Sequence, residues 1–125
     1  MIRRAALVLA FASAASVIPA LAFAQDAPPT YKADPAVYKV IFEDQNFRVI
    51  EATWKPGQGD KPHAHPVPSI AYSLTSCSVK LTAPDGKSVI VHNKAGRAQT
   101  VPIVFSHTAK NVGRHVCRIV LIERK

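Results

Sequence analysis

Gly57-Gln58-Gly59-Asp60-Lys61-Pro62-His63-Ala64-His65-Pro66-Val67-Pro68 is the stretch that decides how this chain folds. It holds two histidines, one residue apart, among three prolines. Each proline fixes its own φ and pushes its predecessor toward extended geometry, so the segment is stiff. Alternate side chains of extended backbone share one side, so His63 and His65 can aim at a single point. A second stretch follows, with Gly96, Pro102, His107 and Asn111. His107 would reach the same point from a neighbouring strand. Neutral imidazole nitrogen is a good ligand for zinc, copper, nickel and ferrous iron. Three histidines carried this way are what a bound metal requires.

The surrounding chain reads as short strands. Val37 to Phe42 and Phe47 to Trp54 are rich in β-branched and aromatic residues, which favours strands. Glu43 to Asn46 is a polar turn, and Lys55-Pro56-Gly57 ends the second strand. Gln58 to Pro68 reads as a loop. Ser69 to Thr75 and Cys77 to Thr82 read as strands, and Asp85-Gly86 is a hairpin signal before Val89-Ile90-Val91. Thr100 to Phe105 is a short strand broken by Pro102, and His115 to Glu123 is the last. No helical periodicity runs over eleven or more residues after the amino-terminal segment. The expectation is an all-β sandwich or barrel.

The amino terminus reads differently. Met1-Ile2-Arg3-Arg4 is basic, an apolar run extends to about Phe23, and Ala22-Phe23-Ala24 supplies small residues for cleavage. Residues 1–24 are therefore expected to be a signal peptide. An uncleaved anchor helix is the alternative, since the run approaches the ~20 residues that span a bilayer. Pro19 and the small-residue end argue for removal, with no stable membrane insertion afterwards. Residues 25–36, with Pro28, Pro29 and Pro35, are expected to form a flexible, exposed leader. Residues 37–125 form the single domain, and the product is expected in the periplasm or outside the cell.

The full chain of 125 residues carries sixteen Lys and Arg against eight Asp and Glu, a net charge of +8. Removing Arg3 and Arg4 leaves fourteen against eight, or +6. These charges are dispersed, with no basic run or basic helix, so a solvated surface is expected and nucleic acid is not. An anionic small molecule remains compatible. Cys77 and Cys117 permit a disulfide in an exported chain, and two buried thiols are the alternative.

The spacing resembles that of a small single-domain cupin, of the RmlC-like superfamily. The first cupin motif runs glycine, five residues, His-x-His, and Gly57, His63 and His65 fit it without gaps. The second ends in glycine, proline, histidine and asparagine at fixed spacing, and Gly96, Pro102, His107 and Asn111 fit. The likeness covers about residues 37 to 125. Three positions depart: Ser69 stands for the motif glutamate, and Ser76 and Val104 stand for glycines. The resemblance implies an antiparallel jelly roll, a double-stranded β-helix, with a divalent transition metal (Fe, Mn, Ni, Zn or Cu) on His63, His65 and His107. It also implies that the strand ending near Thr75 lies beside the one starting near His115, which would bring Cys77 to Cys117. A homodimer is expected by the same analogy.

Other candidates depend on which way strands face. Arg48, Ile50, Ala52 and Trp54 share one face of the second strand, and Phe47, Val49, Glu51 and Thr53 share the other. Both are apolar, so the phase is open. Glu51 would supply the missing carboxylate if its face were inward. Otherwise Arg48 and Trp54 would reach a pocket, where Arg48 could hold an anionic group. Ser69 could hold a metal-bound water. Tyr72 is a pocket candidate that reads more readily as core. His92 and His115 are expected to face solvent, and Asn111 to fix a turn. The leading function is a small exported metal-binding cupin of unassigned activity. The first alternative is a non-haem iron dioxygenase acting on a small thiol or phenolic substrate, and the second is a non-catalytic small-ligand-binding module. No second acid–base carboxylate is identifiable.

Overall fold

A computed structural model describes residues 26–125; the expected signal peptide lies outside them. After a one-turn helix α1 (Thr30–Ala33) come nine strands: β1 (Tyr38–Glu43), β2 (Phe47–Trp54), β3 (His63–His65), β4 (Ser69–Ser73), β5 (Cys77–Thr82), β6 (Ser88–Asn93), β7 (Ala98–Val101), β8 (Val104–Asn111) and β9 (Cys117–Arg124). They form two antiparallel sheets, ordered β1-β2-β9-β4-β7 and β3-β8-β5-β6. This is the expected all-β jelly roll.

The phase left open in β2 is settled by its partner. In β9, Cys117, Ile119, Leu121 and Glu123 are buried while Arg118 and Arg124 are exposed. Trp54 pairs with Cys117, Ala52 with Ile119 and Ile50 with Leu121. Side chains directly opposite in a ladder share a face, so the Trp54 face is inward. Ile50, Ala52, Trp54, Ala71, Val79, Ala109, Ile119 and Leu121 join Val37 and Tyr38 in one core between the sheets. The Asp85-Gly86 turn joins β5 to β6 as expected, with Ala83 N–H donating to Lys87 O at 2.8 Å.

Two expectations are corrected. The segment Gln58 to Pro68 is not all loop, because His63–His65 pairs with β8 as an edge strand. The expected exposed leader is also docked from residue 27. Ala64 N–H donates to Pro28 O at 2.9 Å, Ala27 N–H donates to Phe105 O at 3.0 Å, and Thr30 is fully buried. Prolines lack a donor, which makes such a segment read as unable to pair. Their carbonyls still accept, and the outer N–H of an edge strand needs an acceptor.

Candidate metal centre

The edge strand β3 turns both of its histidines into the space between the sheets, and His63 and His65 are buried. His63 sits directly opposite His107 on β8, while His65 pairs with Val104. The register therefore slips between them, with an extra residue on β8. A bulge of this kind re-aims side chains, and here the three rings meet. Their centroids lie 4.6 Å apart for His63 and His107, 5.2 Å for His63 and His65, and 5.1 Å for His65 and His107. One ring nitrogen from each lies within 4.8 Å of the others. His65 Nε2 and His107 Nε2 face each other at 3.1 Å. The motif glycines Gly57, in the turn after β2, and Gly96, in the turn before β7, hold φ of +76° and +78°, a conformation that side chains disfavour.

The donor set suits a divalent transition metal. His63 Nδ1 lies 3.0 Å from Lys61 O, an acceptor only. A neutral His63 ring therefore carries its proton on Nδ1 and turns a lone pair on Nε2 into the site. Burial, and then the neighbouring His63 and His107, push the His65 pKa down to about 3. Burial, and then His63, push that of His107 down to about 4. Both rings are thus neutral near pH 7, the state a metal requires. In the metal-free protein these shifts set an acid limit. The unfolded chain takes up protons near pH 6.5 while the folded rings resist until about 4 and about 3. Stability is expected to fall as pH drops through that window. Thermal melts of metal-free protein between pH 7 and 4 (a range chosen about the ordinary His value) check this, and a His65→Gln, His107→Gln variant should flatten the profile.

Around the histidines lies a set of residues that the sequence did not reveal. Asp60 has a side chain with no exposed surface. Its Oδ2 accepts from Tyr38 O–H at 2.6 Å and from Trp54 Nε1–H at 3.2 Å, and its Oδ1 accepts from Ala109 N–H at 2.7 Å. Tyr38 Oη stands 3.3 Å from His63 Nε2. Burial first, and then the Asp60 charge, hold the Tyr38 phenol well above its usual pKa. The rings line one part of a partly open cavity of about 90 Å³, otherwise walled mainly by apolar side chains, with the Asn93 and Gln99 amides also on its lining. Gln99 Nε2–H donates to Asn93 Oδ1 at 3.1 Å.

The other candidates divide. Trp54 lines the cavity, as does no other member of the proposed pocket set. Arg48 shares its inward face but stands six residues away, about 20 Å along the strand. There it pairs with Glu43 at 2.9 Å and Glu123 at 3.5 Å and stacks on Tyr31. Glu51 faces outward and pairs with Arg118 at 2.8 Å, so it is no ligand. Ser69 is buried, but its hydroxyl donates to Val67 O at 3.0 Å. Tyr72 alternates outward from Ala71 and is exposed, neither core nor pocket. His92 and His115 are exposed as expected. Asn111 is fully buried and fixes the β8 turn: its amide donates to Trp54 O and His115 O, and its Oδ1 accepts from Gly113 N–H. Cys77 and Cys117 form a disulfide across the two sheets, with Cα atoms 5.4 Å apart. Such a bond fits a non-reducing compartment. No helix among the described residues is long and apolar enough to cross a membrane.

Two antiparallel sheets facing each other around a histidine cluster form a double-stranded β-helix, the fold shared with cupin domains among the solved structures to which this chain is similar. The chain is similar to a cupin domain from Bordetella pertussis at 25% identity, with a TM-score of 0.65, covering 71% of this chain and 92% of that one. An RmlC-like cupin family protein from Methanocaldococcus jannaschii matches at 12% identity and TM-score 0.57, covering 70% and 78%. A Klebsiella pneumoniae protein with a double-stranded β-helix domain matches at 21% and 0.55, covering 78% and 82%. No family model matches the sequence, and no curated protein does.

Proposed function

We propose that the protein is an exported metal-binding cupin whose His63, His65 and His107 hold one divalent transition metal beside a small, largely apolar cavity. The observation that carries this reading is the convergence of three imidazole nitrogens within 4.8 Å. When bound, the ion supplies Lewis acidity and open coordination positions. The chain's own residues do the rest. Lys61 O faces His63 Nδ1 and favours a proton there, Asp60 anchors the wall behind it, and Trp54, Val79 and Leu121 supply apolar lining. Export is supported by the disulfide and by the amino-terminal pattern.

The cavity limits what can share the site. At about 90 Å³ it is smaller than the ~150 Å³ pocket that holds benzene in an engineered protein. A ligand of a few non-hydrogen atoms fits without rearrangement.

The test is elemental analysis of protein recovered from outside the cytoplasm, compared with a His63→Ala, His107→Ala variant. Wild type is expected to carry about one transition metal ion per chain, and the variant almost none. The recovered chain should begin at Gln25. Equal metal in both proteins would falsify the site. Oxygen uptake with small thiols then separates an enzyme from a binding module, in which ligands raise the melting temperature without turnover.

A further inference from the structure

We propose that Tyr38 is the fourth protein ligand of the metal site, filling the role left open by Ser69. This deepens the three-histidine reading and rests on it. Two observations carry it. The first is the bookkeeping of protons. Tyr38 O–H points at Asp60 Oδ2 across 2.6 Å, and His63 Nδ1–H points at Lys61 O across 3.0 Å. With a neutral His63 ring, Tyr38 Oη and His63 Nε2 then face each other at 3.3 Å with no hydrogen between them. Two lone pairs facing each other repel, and either a proton on His63 Nε2 or a metal ion between them relieves it.

The second is the spacing. Donor atoms held about 2.1 Å from one ion on neighbouring positions stand roughly 3.0 to 3.4 Å apart. Tyr38 Oη and His63 Nε2 are at 3.3 Å, and His65 Nε2 and His107 Nε2 are at 3.1 Å. Tyr38 also lines the same cavity as the three rings. A bound ion would have to offset the burial and the Asp60 charge that keep the phenol protonated; the phenol oxygen would then bond to the ion and its proton would pass along the existing hydrogen bond to Asp60 Oδ2. Charge and atoms balance, and no oxidant or reductant is involved. Ser69 cannot serve instead, because its hydroxyl is turned to Val67 O.

The test uses metals as probes and needs no turnover. Ferric or cupric protein is expected to show a visible phenolate-to-metal charge-transfer band, with tyrosine modes enhanced in resonance Raman spectra. Tyr38→Phe keeps the ring, and should abolish the band and weaken zinc binding at least about tenfold. The Raman measurement on wild type needs no variant, so a misfolded Tyr38→Phe does not block it. Metal uptake that depends on His63, without the band or with equal zinc affinity in Tyr38→Phe, overturns the tyrosine ligand and leaves the histidine site standing. Failure to take up zinc, copper or iron overturns both.

Discussion

Asp60→Ala is expected to destabilise the protein by about 3 kcal/mol, although the residue sits in what reads as a surface loop. Its carboxylate accepts from Tyr38 O–H, Trp54 Nε1–H and Ala109 N–H, and it lies 3.6 Å from His63 Nδ1. Removing it leaves Trp54 Nε1–H and Ala109 N–H without an acceptor in a buried place, and Tyr38 O–H with only His63 Nε2 at 3.3 Å to turn to. Each orphaned donor costs roughly 1–3 kcal/mol, more when the lost partner is charged. The sum is not additive, since water entering the vacated space would rescue part of it. For a domain of this size, about 3 kcal/mol lowers the melting temperature by more than about 10 °C. Asp60→Asn keeps the shape and one acceptor oxygen, and should cost clearly less. Urea unfolding of the three proteins measures both changes. A loss within the roughly 0.5 kcal/mol typical of surface substitutions would mean that the carboxylate does not organise this wall.

The same residue marks the limit of what could be read from the sequence. The three histidines were legible because their signal is local. His63 and His65 follow the two-residue period of a strand, and the motif spacing of Gly57 and Gly96 records two left-handed turns. The partners of Asp60 lie 22, 6 and 49 residues away. Only the closure of two sheets brings them together, and no periodicity announces that. The inward face of β2 was ambiguous for a related reason. Phe47 and Val49 on one face are as apolar as Ile50 and Ala52 on the other, and the β9 register decides between them. Arg48 shows how a correct face can still mislead. It points inward, but at the far end of the strand, where Glu43 and Glu123 take its charge. The docked segment from residue 27 was missed because its prolines hide acceptors that an edge strand uses.

Opening the Cys77–Cys117 bridge is expected to cost about 4 kcal/mol. The bond closes a loop with a sequence separation of 40 residues, and fixing the ends of a loop that long removes about 4 kcal/mol of denatured-chain entropy. Its position adds to its weight. Cys77 starts β5 in the four-stranded sheet, and Cys117 starts β9 in the five-stranded one. It is a covalent tie between two layers otherwise held by a modest core. Domains of this size are stable by only about 5–15 kcal/mol in total, so the bridge carries a large share. A Cys77→Ala, Cys117→Ala variant should melt about 15 °C or more below the oxidised protein, and wild type under reductant should shift the same way. The cavity should feel the change too. Asn93 Nδ2 reaches Cys77 Sγ at 4.0 Å, and Asn93 and Ile119 both line the cavity beside the bridge. Cys117 is fully buried, so alanine there also leaves unfilled volume, which the reduced wild-type chain does not. Comparing the two separates the entropy of the tie from the packing of its sulfur. Identical melting curves for oxidised and reduced wild type would show that the core alone holds the sheets together, and that the bond contributes nothing to stability.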